Sequence, residues 1–339
     1  MAYTTINKPT DYFDTELFTG TGATQSVTGL DFSPGFTWLN RRIDNDNGGS
    51  ALYDVNRGVN KSLRTDLTDA EAGLPVAYSG NNVGRITKGA AATLLAKVLL
   101  STGDDTAAAT VLRRIISDYG YELLDDYADL WGIGNENNAE SIFEIQYISG
   151  GIGQGSLFTN DFSPSTDLQT GSGFARNRPT ISLMEAYEDE DLRYDVSMGD
   201  TYVNLEGETI ESRYVKKYWS DPAIENDSDI NFVVFRYADV LLMLAEALGE
   251  TSESYDLIND VRERAGLDAI DVTTPGTFSD KLLNERRLEL AFENHRWPDL
   301  KRFDSDSKIQ EAEPFITGTR EFFFIPQREI DINPNFVQN

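Results

Sequence analysis

One stretch of the chain gathers the residue types that do acid-base chemistry. NERRLELAFENHRWPDLKRF, Asn284 to Phe303, holds His295, the single histidine, among three glutamates, four arginines and Asp299. An imidazole beside carboxylates suits general acid-base catalysis, and two carboxyl groups facing each other across a cleft suit glycoside hydrolysis. The spacing points elsewhere. On a helix over Leu282 to Asn294, Glu285, Glu289 and Glu293 fall four residues apart on one stripe, so they cannot oppose each other across a substrate. Arg286 precedes Glu289 by three residues and Arg296 follows Glu293 by three, a spacing at which opposite charges pair. Leu283, Leu288, Leu290, Ala291 and Phe292 take the rest of the circumference, which puts the charged stripe at a packed interface.

Arg287 stands among apolar neighbours and is expected to reach a carboxylate on another helix, Asp239 or Glu246, with Arg236 in the same network. His295 closes the helix, where an imidazolium would satisfy terminal carbonyls, and Trp297 and Pro298 then turn the chain. The stretch reads as a structural ion-pair network. No catalytic residue is assigned.

Other chemistries find no support. HExxH is absent, one histidine cannot build a His-rich site, and there is no cysteine to supply a thiolate or a disulfide. DNDNGG at Asp44 to Gly49 opens like a calcium loop, but Gly48 at its fifth position and Val55 at its twelfth break the pattern. Neither a G-x-S-x-G elbow nor a phosphate-binding G-x-x-x-x-G-K-[ST] loop occurs, and GIGQG at Gly151 to Gly155 lacks a framing strand and helix. No metal or cofactor is expected.

Charge narrows the partners. Asp and Glu number 57 against 29 Lys and Arg, a net charge of -28 that repels phosphate backbones and anionic lipid surfaces, so nucleic acid is excluded as a partner. The densest apolar run, VLLMLAEAL from Val240 to Leu248, is too short to cross a bilayer and carries Glu246. The opening residues MAYTTINKPTDYFD have neither the basic start nor the apolar stretch of a secretory signal.

The elements that position these residues are mostly helices. Val59, Leu63, Leu67 and Ala70 recur at helical spacing before Gly73 and Pro75. ITKGAAATLLAKVLLSTGD gives an Ala- and Leu-rich helix with Thr87 as its N-cap, and DTAAATVLRRIISDYG a second with Ala107, Ala108, Val111, Leu112 and Ile115 on its apolar face. So short a link forces an antiparallel pair, the hairpin of tetratricopeptide-type repeats. FRYADVLLMLAEALGE and SESYDLINDVRERAG form another pair, the second turning Tyr255, Ile258, Val261 and Ala265 inward. FSDKLLNERRLELAFEN follows, capped by Ser279 or the preceding turn.

Residues 1–50 show no sustained period. Gly150 to Asn231 reads as a long loop-rich stretch in which only Thr180 to Glu188 looks helical, yet its aromatics, including Tyr147 just before it, Phe158, Phe162, Phe174, Tyr202 and Tyr214, argue for order. EFFFIPQREIDINPNF at the end reads as a short strand and turns.

Seven blocks carry a resemblance. NVGRITKGAAATLLAKVLL, YELLDDYADLW, NNAESIFEIQY, FVVFRYADVLLMLAEAL, INDVRERAGL, NERRLELAFENHRWPDLKRF and FFFIPQREIDINPNFVQN occur in this order and together resemble the SusD/RagB family of surface lipoproteins. The resemblance implies a mainly α scaffold of tetratricopeptide-like hairpins over residues 51–339, with a loop-rich ligand region at about 150–231 and a divergent or truncated segment at 1–50. It implies a protein that is not an enzyme. Such proteins capture oligosaccharides or other nutrients at the outer-membrane surface and hand them to a TonB-dependent, SusC-like transporter. Membrane association would then come through a lipid anchor, whose cysteine this chain does not contain.

By the same resemblance, ligand contacts are expected in the N-terminal region, with Trp38 in FTWLNRR, and in the loop after EIQY, with Tyr147, Phe158, Asn160, Asp161, Phe162, Phe174 and Arg176. Rings that stack on pyranose faces beside amides, carboxylates and arginine suit sugar capture. The alternative is a helical-repeat scaffold that recognises a protein and binds no carbohydrate.

Overall fold

The computed structural model describes residues 36–39, 51–54, 63–164, 173–204, 206–220, 222 and 224–303. The chain divides into two compact units, Met1–Gly73 and Leu74–Asn339. In the first, β1 (Phe36–Leu39) and β2 (Ala51–Asp54) pair antiparallel with Trp38 opposite Leu52, and α1 (Leu63–Gly73) follows. The DNDNGG run and Val59 lie outside the described residues, as does the FFFIPQ tail.

The second unit is built on antiparallel helix pairs. α2 (Lys88–Ser101) starts where Thr87 accepts a hydrogen bond from the Ala90 amide, and α3 (Asp105–Asp118) where Asp104 accepts from Ala107. Ala90, Ala91, Ala92 and Ala96 are buried on α2 and Ala108, Val111, Leu112 and Ile115 on α3, small residues against a stripe at helical spacing. Close approach is obligatory at Gly89, where a Cβ would stand 2.3 Å from the Tyr121 hydroxyl.

α3 packs next on α7 (Tyr237–Leu248), which packs on α8 (Ser252–Arg264) and on α9 (Phe278–Glu289). The core there joins Ala238, Leu241, Leu242 and Ala245 of α7 to Ile258 and Val261 of α8 and Leu282 of α9. α7 is buried from Ala238 through Ala245, apolar apart from Asp239. α9 takes its cap from the preceding turn: Thr277 accepts from the Asp280 amide while the Asp280 carboxylate accepts from the Thr277 amide, a capping box.

Three features depart from the sequence reading. Residues 150–231 hold three short helices, α4 (Phe158–Phe162), α5 (Ile181–Met184) and α6 (Arg193–Ser197), and an antiparallel hairpin of β4 (Met198–Val203) and β5 (Thr209–Val215). Elements of four to seven residues are too short to display a period. Phe232–Arg236 is a strand, β6, paired antiparallel with β3 (Ser141–Ile145), and α7 begins only at Tyr237.

The helix of the opening stretch is also shorter than expected. α9 stops at Glu289, and Phe292 and Asn294 take left-handed φ of 68° and 65°. Arg296–Arg302 then forms α10, so Trp297 and Pro298 open a helix instead of merely turning the chain. Proline fits there because the first-turn amides have no helical partner.

Candidate functional site

Glu289 accepts from three guanidinium groups that arrive on three different elements. Arg193 of α6 lies 3.0 Å away, and Arg236 at the end of β6 and Arg264 at the end of α8 both bond Oε1. Arg236 also bonds Glu140 at 2.9 Å and Glu293 at 2.8 Å, and Lys217 bonds Glu293 at 2.7 Å. Arg193 reaches Glu285 at 2.5 Å and Asp191 at 2.7 Å, and Arg262 reaches Glu285 at 3.2 Å. Five cations, Arg193, Lys217, Arg236, Arg262 and Arg264, thus meet five buried carboxylates, Glu140, Asp191, Glu285, Glu289 and Glu293. Such a balance is the condition for keeping charge inside a protein.

Glu289 and Glu293 pair with cations on other elements, while Arg286 and Arg302 both bond Asp299 within the stretch. The break after α9 swings Glu293 back against Lys217 and Arg236. Arg286, not Arg287, takes Asp239 at 2.9 Å and also Asp299 at 2.9 Å, while Arg287 donates to the Ser182 hydroxyl. Glu246 is bonded by Arg302, and Arg296 donates to the Leu283 carbonyl. A one-residue difference in helix phase, 100°, is enough to exchange the two arginines.

His295 is buried and neutral. Lys97 Nζ lies 2.9 Å from its Nδ1 and 2.8 Å from Asp239 Oδ2. Ammonium can only donate, so Nδ1 accepts and the ring proton sits on Nε2. Burial, outweighing the pull of Asp239, moves the imidazole down to about 4. The imidazolium expected at a helix end is therefore absent; His295 precedes α10 and bonds no helix carbonyl there. Burial raises the carboxylates too, but the guanidinium groups prevail and hold Glu289 and Glu293 well below the usual range. A carboxylate locked in this way neither gives nor takes a proton near neutral pH. The stretch fastens α6, β6, α8 and α9 together.

The loop after EIQY presents a different surface. Phe174 is 39% exposed, and the Arg176 guanidinium lies 4.9 Å from its ring centre and 2.8 Å from Asp161. Backbone bonds fix this platform: Phe174 N to Asn160 O at 2.8 Å, Arg176 N to Asp161 O at 2.7 Å, and Ala175 N to Ser163 O at 2.8 Å. Asn160 is fully buried and accepts from the Asn226 amide, so it braces the platform from beneath. Phe158 and Phe162 pack with Tyr218 and Phe232 at ring separations of 5.0 to 5.6 Å, and Tyr147 meets Phe158 edge-on at 6.2 Å. Of the expected contacts, Asp161, Phe174 and Arg176 are thus brought together at the surface, with Asn160, Phe158, Phe162 and Tyr147 behind them. The Trp38 side chain lies outside the described residues.

This fold has known counterparts. Residues 197–339 match the SusD family model, and residues 8–88 match that of a domain of unknown function. A laminarin-binding SusD-like protein shares the fold at a TM-score of 0.69 and 29% identity, over 81% of this chain and 67% of that one.

Over residues 197–339 this chain is similar to the SusD/RagB family.

SusD-like protein P2 of Formosa agariphila is 27% identical over 297 residues, 75% of this chain and 59% of the relative. Surface glycan-binding protein A from Bacteroides thetaiotaomicron, solved in complex with laminarihexaose, has a TM-score of 0.69 at 23% identity, over 82% of this chain and 70% of its own. The chain spans about three-fifths of the length of the Formosa relatives it matches. The sequence reading missed six of the ten members of the ionic cluster: Glu140, Asp191, Arg193, Lys217, Arg262 and Arg264. Glu140, Arg193 and the Arg262–Arg264 pair lie far apart along the chain, and the one signal was charge beside apolar positions, as in INDVRERAGL. It also missed a groove of about 560 Å³ beside the β4–β5 hairpin, whose aromatic lining comes from four separate segments.

Proposed function

We propose that this protein captures glycans without chemical change at the outer-membrane surface and delivers them to a TonB-dependent transporter. The observation that carries the reading is the Phe174, Arg176 and Asp161 platform: an exposed ring with a charged donor and acceptor fixed beside it, on a rigid helical scaffold. A pyranose offers an apolar face to the ring and hydroxyls to the polar pair. The relatives named for laminarin and surface glycan binding support a carbohydrate ligand. Among the described residues no three His, Asp or Glu side chains cluster to hold a metal, and the buried carboxylates are engaged by cations, which leaves capture as the better-supported activity. No helix among the described residues is long and apolar enough to cross a membrane.

A second reading, a protein-binding scaffold without carbohydrate contact, has one observation in its favour. Ile145, Ile148, Ile152, Leu157 and Ile224 are each 44–61% exposed on neighbouring turns, and aliphatic side chains suit a protein surface better than a sugar. Calorimetric titration of the purified chain with neutral and acidic oligosaccharides separates the two. Capture predicts saturable binding that Phe174→Ala weakens. Absence of binding to every glycan, with stable co-purification of a transporter barrel, would establish the scaffold instead.

A further inference from the structure

The groove beside the β4–β5 hairpin shares none of the platform residues. It is open, encloses about 560 Å³, and is bordered by the rings of Trp131, Tyr202, Tyr214 and Trp219. That volume lies within the roughly 300–1,000 Å³ of small-ligand sites. We propose that this groove is a second carbohydrate subsite, one that takes a neutral pyranose oligosaccharide against these four rings.

Several independent features lead there. Gly199 keeps the groove wall clear: a Cβ would stand 2.8 Å from the Tyr214 ring and 2.9 Å from Lys216 Cε, so any larger residue would displace two lining side chains. Tyr202 and Tyr214, each less than a tenth exposed, meet edge-to-face at 6.3 Å and back the groove, while the more accessible rings are those of Trp131 and Trp219. The Trp131 indole Nε1 is a buried donor with no acceptor among the described residues. Rings that merely filled a core would close the space between them, since interiors pack with few voids larger than a water. Here the space stays open.

Charge selects the kind of sugar. Lys217 is consumed by Glu293, and Lys216 donates to the Asp195 carbonyl at 3.1 Å, so the rim offers one ammonium beside one exposed carboxylate and no cluster of cations for an anionic sugar. The chain's charge of -28 disfavours sulfated and uronic chains further. Ring faces with a balanced rim fit uncharged pyranoses.

The inference rests on the capture reading, and the experiment separates the two. The full chain is titrated with laminarihexaose, cellohexaose and maltohexaose by calorimetry and by tryptophan fluorescence. Trp219→Ala, which removes a groove ring, and Val203→Glu, which charges the groove rim at a position 57% exposed, are compared with Phe174→Ala on the platform. Circular dichroism checks the fold of each. The groove variants are expected to weaken the best ligand by about tenfold, which is about 1.4 kcal/mol, and to reduce the fluorescence change. Wild-type affinity in both folded groove variants overturns the second subsite and leaves capture standing when Phe174→Ala still weakens binding. No binding of any hexasaccharide by the wild-type chain overturns capture and the subsite together.

Discussion

Replacing His295 by glutamine should flatten the pH dependence of stability between about pH 7 and about pH 5. The imidazole is 6% exposed and faces Lys97, Asp239, Glu293 and Arg286. Its folded value is lowered to about 4, against about 6.5 for a free histidine. Because the folded value is the lower one, the unfolded chain binds the proton first. Stability is complete above the unfolded value and is lost as pH falls from about 6.5 toward about 4. The full effect is on the order of 3 kcal/mol, of which about 2 kcal/mol is lost between about pH 7 and about pH 5.

This is the only histidine, and there is no cysteine, so few other groups titrate in that window. Glu289, Glu293, Asp239 and Asp299 are all held low, and their contributions are lost only below the ordinary carboxylate range of about 4. Glu136 and Asp260 are raised by burial and act in the opposite sense, but equally in both proteins, so they cancel in the comparison. Glutamine keeps an acceptor for Lys97 and has no proton to take. Urea denaturation at about pH 7, 6 and 5 would show the wild type losing about 2 kcal/mol more than the variant. Equal slopes in the two proteins would refute the buried, neutral imidazole and reopen an acid-base role for it.

Glu289→Gln strips the counter-charge from Arg193, Arg236 and Arg264 at once and should cost about 3–5 kcal/mol in chemical denaturation. A loss under about 1 kcal/mol, ordinary for an exposed pair, would mean the cluster is hydrated. Thr277→Ala removes both the hydroxyl that caps α9 and the partner of Asp280, and thermal melting should register a loss of about 1 kcal/mol.

The helix pairs were legible because their signals are local. Thr87 caps the helix its position announces, and Ala108, Val111, Leu112 and Ile115 bury the stripe their spacing draws. The β4–β5 hairpin was not legible, since TIESRYV shows little alternation when Ile210, Ser212 and Arg213 are all half-buried. Nor was the β6–α7 junction: FVVFRYADVLLM is apolar apart from Arg236 and Asp239, and periodicity cannot say where a buried strand gives way to a buried helix. The resemblance located the platform loop, while the four rings of the groove carried no shared signal along the chain.

The sequence by itself determined the long paired helices, that their glutamates and arginines must pair, and which family the chain resembles, since caps, spacing and motif order act over a few residues. Only the tertiary structure decided the partners: Glu289 with Arg193, Arg236 and Arg264, Arg286 in place of Arg287 for Asp239, and a neutral His295. Charge pairing in a low-dielectric interior depends on distance in space, and residues as far apart as Glu140 and Arg236 become neighbours only when β3 pairs with β6.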